Sequence, residues 1–268
     1  MTGRGLDVGG WIAREGALSR VPAAFAGVVD AARARIAESF DCARLHSAYL
    51  YGSIPRGTAI LGVADLDLLL ALHAEPAEAD RAAATRIEQD LDQSFPQIDG
   101  VGILLFSTRT LLSELERHDL GFFVACLCTP LLGDDLADQL SRYRPTPLLA
   151  RETNGDLSLA LPGWRRQAAT AATDKQRKAL SRLVARRIVR TGFTLVMPEW
   201  GGWTSDLTES AEAFGLYYPA CAGQMRRAAI TGRTPSPDPG LLRELIDDLG
   251  PWLAAEYAVV HGEKAIRP

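Results

Sequence analysis

The sequence predicts an α+β protein: a short mixed sheet flanked by helices in the first half, then an all-helical second half. Three observations carry this. Three short apolar runs, residues 46–51, 65–72 and 101–106, have the length and composition of strands. After residue 154 the apolar residues recur at helical spacing only. Between these regions, residues 143–154 are punctuated by Pro145 and Pro147, which places a domain boundary there and divides the chain into 1–144 and 145–268.

Taken in order, residues 1–20 are Gly-rich and read as irregular. Residues 22–40 read as a helix, with Phe25, Val28, Val29, Ala32 and Ile36 on one face and Pro22 at the start. Residues 46–51 form a strand that ends at Gly52-Ser53, and 55–61 a short helix. Residues 65–72 are almost continuously apolar, as in a strand covered on both faces. The Ala, Glu and Arg content of 75–95 predicts a helix. Residues 101–106 are the third strand, and 108–132 read as one or two helices up to Gly133. Helices are expected over 157–172, 175–196, 205–217, 220–231 and 241–261, with a proline-rich loop over 231–240. There is no internal repeat.

With 268 residues, 47% of them hydrophobic, the chain can bury a sizeable core. A net charge of −4 and a pI of about 5.6 weigh against DNA or long RNA as a partner. The cysteines, Cys42, Cys126, Cys128 and Cys221, lack zinc-site spacing, and Cys126 and Cys128 read as buried thiols in an apolar run. The histidines are scattered and receive no role. No segment has signal-peptide character or the roughly 18 apolar residues of a membrane span, so a cytoplasmic setting without membrane contact is expected.

The chemistry concentrates in LYGSIPRGTAILGVADLDLLLAL, residues 50–72. Gly52 lets the backbone turn sharply and approach a phosphate. Ser53 adds a hydroxyl donor, the amides of the following turn add anion affinity, and Arg56 can reach a phosphate oxygen. Eleven residues separate Ser53 from Asp65-Leu66-Asp67. In a strand, Asp65 and Asp67 project to one side and can share magnesium, while Leu66 and Leu68 enter the core.

This pattern resembles the polymerase-beta-like nucleotidyltransferase superfamily. Within it, the chain is most similar to the small-molecule antibiotic nucleotidyltransferases, including the aminoglycoside adenylyltransferases that confer antibiotic resistance. The segment TPLLGDDL, residues 129–136, looks like the short strand-or-turn stretch that follows the core domain in that group. The resemblance implies an N-terminal nucleotidyltransferase domain, Mg2+ on Asp65 and Asp67, an NTP such as ATP, and a hydroxylated small-molecule acceptor. Ala64 departs from the serine that many relatives carry, at the cost of one hydrogen bond but no metal ligand. The resemblance also implies a third catalytic, metal-binding acid on a later strand. Asp99, in QIDGVGILLF, is the candidate and shares parity with Val101 and Ile103. Asp99-Gly100 also reads as a plain turn, and relatives place the acid deeper, where this chain has Gly102. Glu199 or Asp206 could serve instead.

In the helical half, Lys178, Arg182, Arg186 and Arg190 recur every fourth residue as one basic stripe. The plain reading is a solvated face; the functional reading sets its C-terminal end, Arg190, on the triphosphate. The segment PEWGGWTSD, residues 198–206, combines rings and acids. Glu199, Trp203 and Asp206 are the candidate acceptor contacts; the competing reading is a hydrophobic clasp with Asp206 capping the next helix. The expected function is transfer of a nucleoside monophosphate to a small-molecule hydroxyl. The alternatives are transfer to tRNA or a protein, as in a toxin, and non-catalytic nucleotide binding.

Overall fold

The computed structural model describes residues 4–267; residues 1–3 and 268 lie outside the described residues, including the start of the segment read as irregular. The chain forms two compact units, one of Ala13–Arg142 and one that joins residues 4–12 to residues 143–267. The residues before Ala13, read from the sequence as part of the first domain, thus belong to the helical unit. The Ile12 amide donates to the Tyr143 carbonyl at 2.8 Å, and the Trp203 amide to the Arg4 carbonyl at 2.9 Å. The Arg144 guanidinium lies 4.1 Å from the centre of the Trp11 ring.

The first unit is built on a four-stranded sheet in the order β3-β2-β1-β4. Strand β1 (Leu45–Tyr51) pairs antiparallel with β2 (Asp65–Leu72), setting Tyr51 opposite Asp67. Strand β3 (Gly100–Ser107) pairs parallel with β2, with Gly100 beside Asp65 and Gly102 beside Asp67. Helices α1 (Ala23–Ser39) and α3 (Glu78–Ser94) supply Phe25, Val28, Ile36, Ile87 and Leu91 to a core shared with Leu50, Leu66, Leu68 and Leu70. A four-residue turn of helix, α2 (Ser53–Arg56), follows β1. Asp80 starts α3 by accepting the Ala77 amide at 2.6 Å, and it also holds the Arg44 guanidinium.

The opposite sheet face carries a second core of Tyr49, Leu69, Ala71, Leu111, Val124, Cys128 and Leu136. The region 108–132, read as helical, gives only α4 (Thr108–Leu111), α5 (Leu120–Phe122) and a π turn (Phe123–Leu127). It then becomes strand β4 (Cys128–Gly133), antiparallel to β1. A short run buried on both sides has no periodicity to separate helix from strand; here the ladder edge of β1 decides. Tyr49 ties this end together: its hydroxyl accepts the Leu136 amide at 2.7 Å, and burial pushes its pKa up to about 12.

The second unit is helical. Helix α6 (Pro147–Asn154), inside the stretch read as a boundary, starts with Pro147 and the Thr146 hydroxyl accepting the Leu149 amide. Then come α7 (Leu157–Thr170), α8 (Asp174–Trp200), α9 (Leu207–Tyr217) and α10 (Ala222–Arg233). The expected final helix is α11 (Pro239–Arg243), a π turn (Glu244–Leu249) and α12 (Gly250–His261) in succession. Helix α8 is central, touching α6, α7, α9, α10 and α12 and burying Val184, Ile188, Phe193 and Met197. Among the described residues, no helix is long and apolar enough to cross a membrane.

Candidate active site

The chain leaves β1 through Gly52, whose φ of 82° and ψ of −150° suit glycine alone. Its missing side chain also makes room: a Cβ there would stand 2.4 Å from Oδ2 of Asp67. The turn and the carboxylate are therefore packed against each other. Arg56 braces the turn, its Nε donating to the Gly52 carbonyl at 2.9 Å, while its Nη1 lies 3.8 Å from Glu15. The Thr58 amide donates to the Ser53 carbonyl at 3.0 Å. Ser53 itself is half-buried.

On β2, Asp65 and Asp67 are half-buried, while the alternating Leu66, Leu68 and Leu70 are fully buried under the helices. The two acids thus share the face that also carries Tyr51, Gly100 and Gly102, their cross-strand neighbours. Tyr51 stands edge-on to Phe123, ring centres 4.9 Å apart. The sequence brings Gly52, Ser53, Arg56, Asp65 and Asp67 into this one unit.

Asp99 is exposed, in a bend just before β3, with its amide donating to the Ala64 carbonyl at 3.0 Å. Val101 and Ile103, which share its parity, pack into the helix-covered core. The β3 positions that share the face of Asp65 and Asp67 are Gly100 and Gly102, so β3 places no third carboxylate beside them. Among the described residues there is no group of three or more His, Cys, Asp or Glu side chains arranged to hold a metal. The pair still fits magnesium. Two hard carboxylates stand against a turn with no side chain in the way, and magnesium binds through one or two carboxylates with phosphates and water completing its shell.

Arg190, Glu199, Trp203 and Asp206 lie in the helical unit. Arg190 and Lys178 are exposed, but Arg182 and Arg186 are half-buried, so the stripe is not one solvated face. Arg186 donates from Nε to the Gly232 carbonyl at 3.1 Å, capping the last turn of α10. Glu199 is exposed on the last turn of α8. Trp203 is buried, its ring edge-on to Phe193 with centres 5.7 Å apart. Asp206 caps α9, accepting the Thr208 and Glu209 amides at 2.8 and 3.0 Å, and pairs with Arg233. Burial pushes its pKa up, but these amides and the Arg233 charge outweigh burial and hold it below the usual carboxylate range.

Residue-by-residue reading missed Tyr51, Gly100 and Glu15. The first two reach the site through strand register, and Glu15 through a turn with no sequence signature. A scan of family models finds no match to this chain, and no curated protein matches it. Its chemistry is therefore argued from the Gly52 turn and the two carboxylates that pack beside it.

Proposed function

We propose that the protein transfers a nucleoside monophosphate from an NTP, ATP first among them, to a hydroxyl of a small polar molecule and releases pyrophosphate. One observation carries the reading: Asp67 lies so close to the Gly52 turn that any side chain at position 52 would strike its carboxylate. A turn built for a phosphate and a carboxylate pair built for magnesium thus belong to one site. The resemblance of G-S followed by D-x-D to the nucleotidyltransferases supports the same conclusion.

In this reaction Asp65 and Asp67 hold magnesium, which supplies charge stabilisation for the transferring phosphoryl group and the departing pyrophosphate. The Ser53 hydroxyl and the turn after Gly52 bind triphosphate oxygens. Arg56 keeps that turn closed through the Gly52 carbonyl and adds positive charge. The acceptor oxygen bonds to the α-phosphorus while the bridging α–β bond breaks. Asp99, anchored through its amide beside Asp65, is the carboxylate assigned to the acceptor proton, with Glu199 and Asp206 as alternatives. Arg190 is assigned to the triphosphate, and Glu199, Trp203 and Asp206 to the acceptor.

Pyrophosphate release tests this directly, with magnesium, each NTP in turn, and a panel of aminoglycosides, other hydroxylated metabolites and tRNA. Release that depends on a small hydroxylated acceptor is the expected result. Release with tRNA alone would overturn the small-molecule assignment, and no nucleotide binding at all would overturn the transfer reading.

A further inference from the structure

We infer that Gly100 and Gly102 keep the β3 surface clear for the acceptor, a hydroxylated ring laid flat on the strand backbone beside Asp65 and Asp67. This rests on the transfer reaction proposed above. The backbone does not require glycine at either position. Neither φ lies in the left-handed region, whereas that of Gly52 does. A Cβ at Gly100 would meet only Oδ1 of Asp65, at 3.8 Å, and one at Gly102 only Oδ1 of Asp67, at 4.0 Å. Both are ordinary contacts, so the fold has room for side chains there.

A strand ordinarily gains from such side chains, because glycine is disfavoured in strands and packs nothing. Glycine inside a strand marks either a bulge or a close approach by a ligand or another backbone. A bulge is ruled out, since the β2–β3 pairing runs without interruption from Gly100 to Ser107. Close approach remains. Beyond Gly102 on the same face comes Leu104, which is 39% exposed although apolar. At the other end, the loop before Asp65 exposes Ile60, Leu61 and Val63, and Gly62 ties it to the Gln97 carbonyl ahead of β3.

The result is a strip of bare backbone flanked by carboxylates and bounded by apolar side chains. Gly100 and Gly102 are about 6.6 Å apart along the strand, a span suited to one six-membered ring. Such a ring would set its C–H face on the peptide planes and the apolar ends, and its hydroxyl edge toward Asp65 and Asp67. A linear polyol offers the same hydroxyls but no flat face, and must lose more freedom to bind.

The test compares wild type with Gly102→Ala and Gly102→Val in the full chain. Three readouts are needed: melting temperature, binding of magnesium with α,β-methylene nucleoside triphosphates, and pyrophosphate release. The acceptor probes are aminoglycosides, free cyclitols and sugars, with sorbitol as the linear probe. The expected wild type uses a ring and not sorbitol. In Gly102→Val, melting should be unchanged or raised and nucleotide binding unchanged, while kcat/KM for the ring falls by about tenfold or more. Gly102→Ala should fall less. Wild-type transfer in Gly102→Val, marked destabilisation of Gly102→Ala, or a wild type that uses sorbitol as well as any ring or uses no ring, would each overturn this inference alone. A wild type that binds no nucleotide would overturn the transfer reading and this inference together.

Discussion

Asp67 has one carboxylate oxygen toward position 52 and the other toward position 102, so its orientation is fixed from two sides. Replacing a metal ligand with a neutral isostere removes charge without opening a cavity. Asp65→Asn and Asp67→Asn should each abolish nucleotidyl transfer and leave the circular dichroism spectrum and melting temperature close to wild type. Transfer by either variant at the wild-type rate with magnesium present would remove the carboxylates from the mechanism. Ser53→Ala should weaken NTP binding by about 1 kcal/mol, one neutral hydrogen bond. Arg56→Ala should weaken it more and also lower the melting temperature, because Arg56 both carries charge and holds the Gly52 carbonyl. Calorimetric titration separates the two, and wild-type affinity in both would place the phosphates elsewhere. Trp203 is a different kind of residue. Its ring fills space against Phe193, so Trp203→Ala should cost roughly 3–5 kcal/mol of stability, measured by denaturant unfolding. An intact melting curve with only the acceptor KM raised would restore it to an acceptor surface.

Helix α3 shows how one carboxylate can start an element and fasten it to the sheet. Asp80 accepts the Ala77 amide and pairs with Arg44 just before β1. The Arg44 hydrogen bond is the largest cause holding Asp80 below the usual carboxylate range, with the Ala77 amide adding to it against the opposing effect of burial. A depressed folded-state pKa adds stability above the unfolded value of about 3.9, and that stability is lost as pH falls through the folded value. Arg44→Met should therefore be less stable than wild type at neutral pH, with the gap closing on acidification below about pH 4. A gap independent of pH would mean that Arg44 acts through packing alone. The same scale shows what was legible in the sequence. β2 and α1 were readable because Leu66–Leu72 and Phe25–Ile36 carry a strong pattern of their own. β4 was misread because Thr129–Leu132 has no period; its state is decided by pairing with β1, a partner about eighty residues earlier. The motif of Gly52, Ser53, Asp65 and Asp67 was legible because it is local. The glycine face of β3 was not, because which residues sit beside Asp67 depends on strand register.

At the scale of the whole molecule, the division into Ala13–Arg142 and the remainder has a spectroscopic consequence. The chain has five tryptophans, Trp11, Trp164, Trp200, Trp203 and Trp252, and every one belongs to the helical unit; Ala13–Arg142 contains none. Indole emission thus reports on one half of the protein, whereas far-ultraviolet circular dichroism sums both. Leu69 is fully buried in the sheet unit, and Leu69→Ala should cost that unit about 2–5 kcal/mol. The variant's unfolding curve is expected to shift more by dichroism than by emission, so that two curves which nearly coincide in the wild type separate. Curves that move together would show that the halves unfold as one cooperative block. Curves that part would make the natural placement of the indoles a built-in label, reading the helical half without any engineered dye.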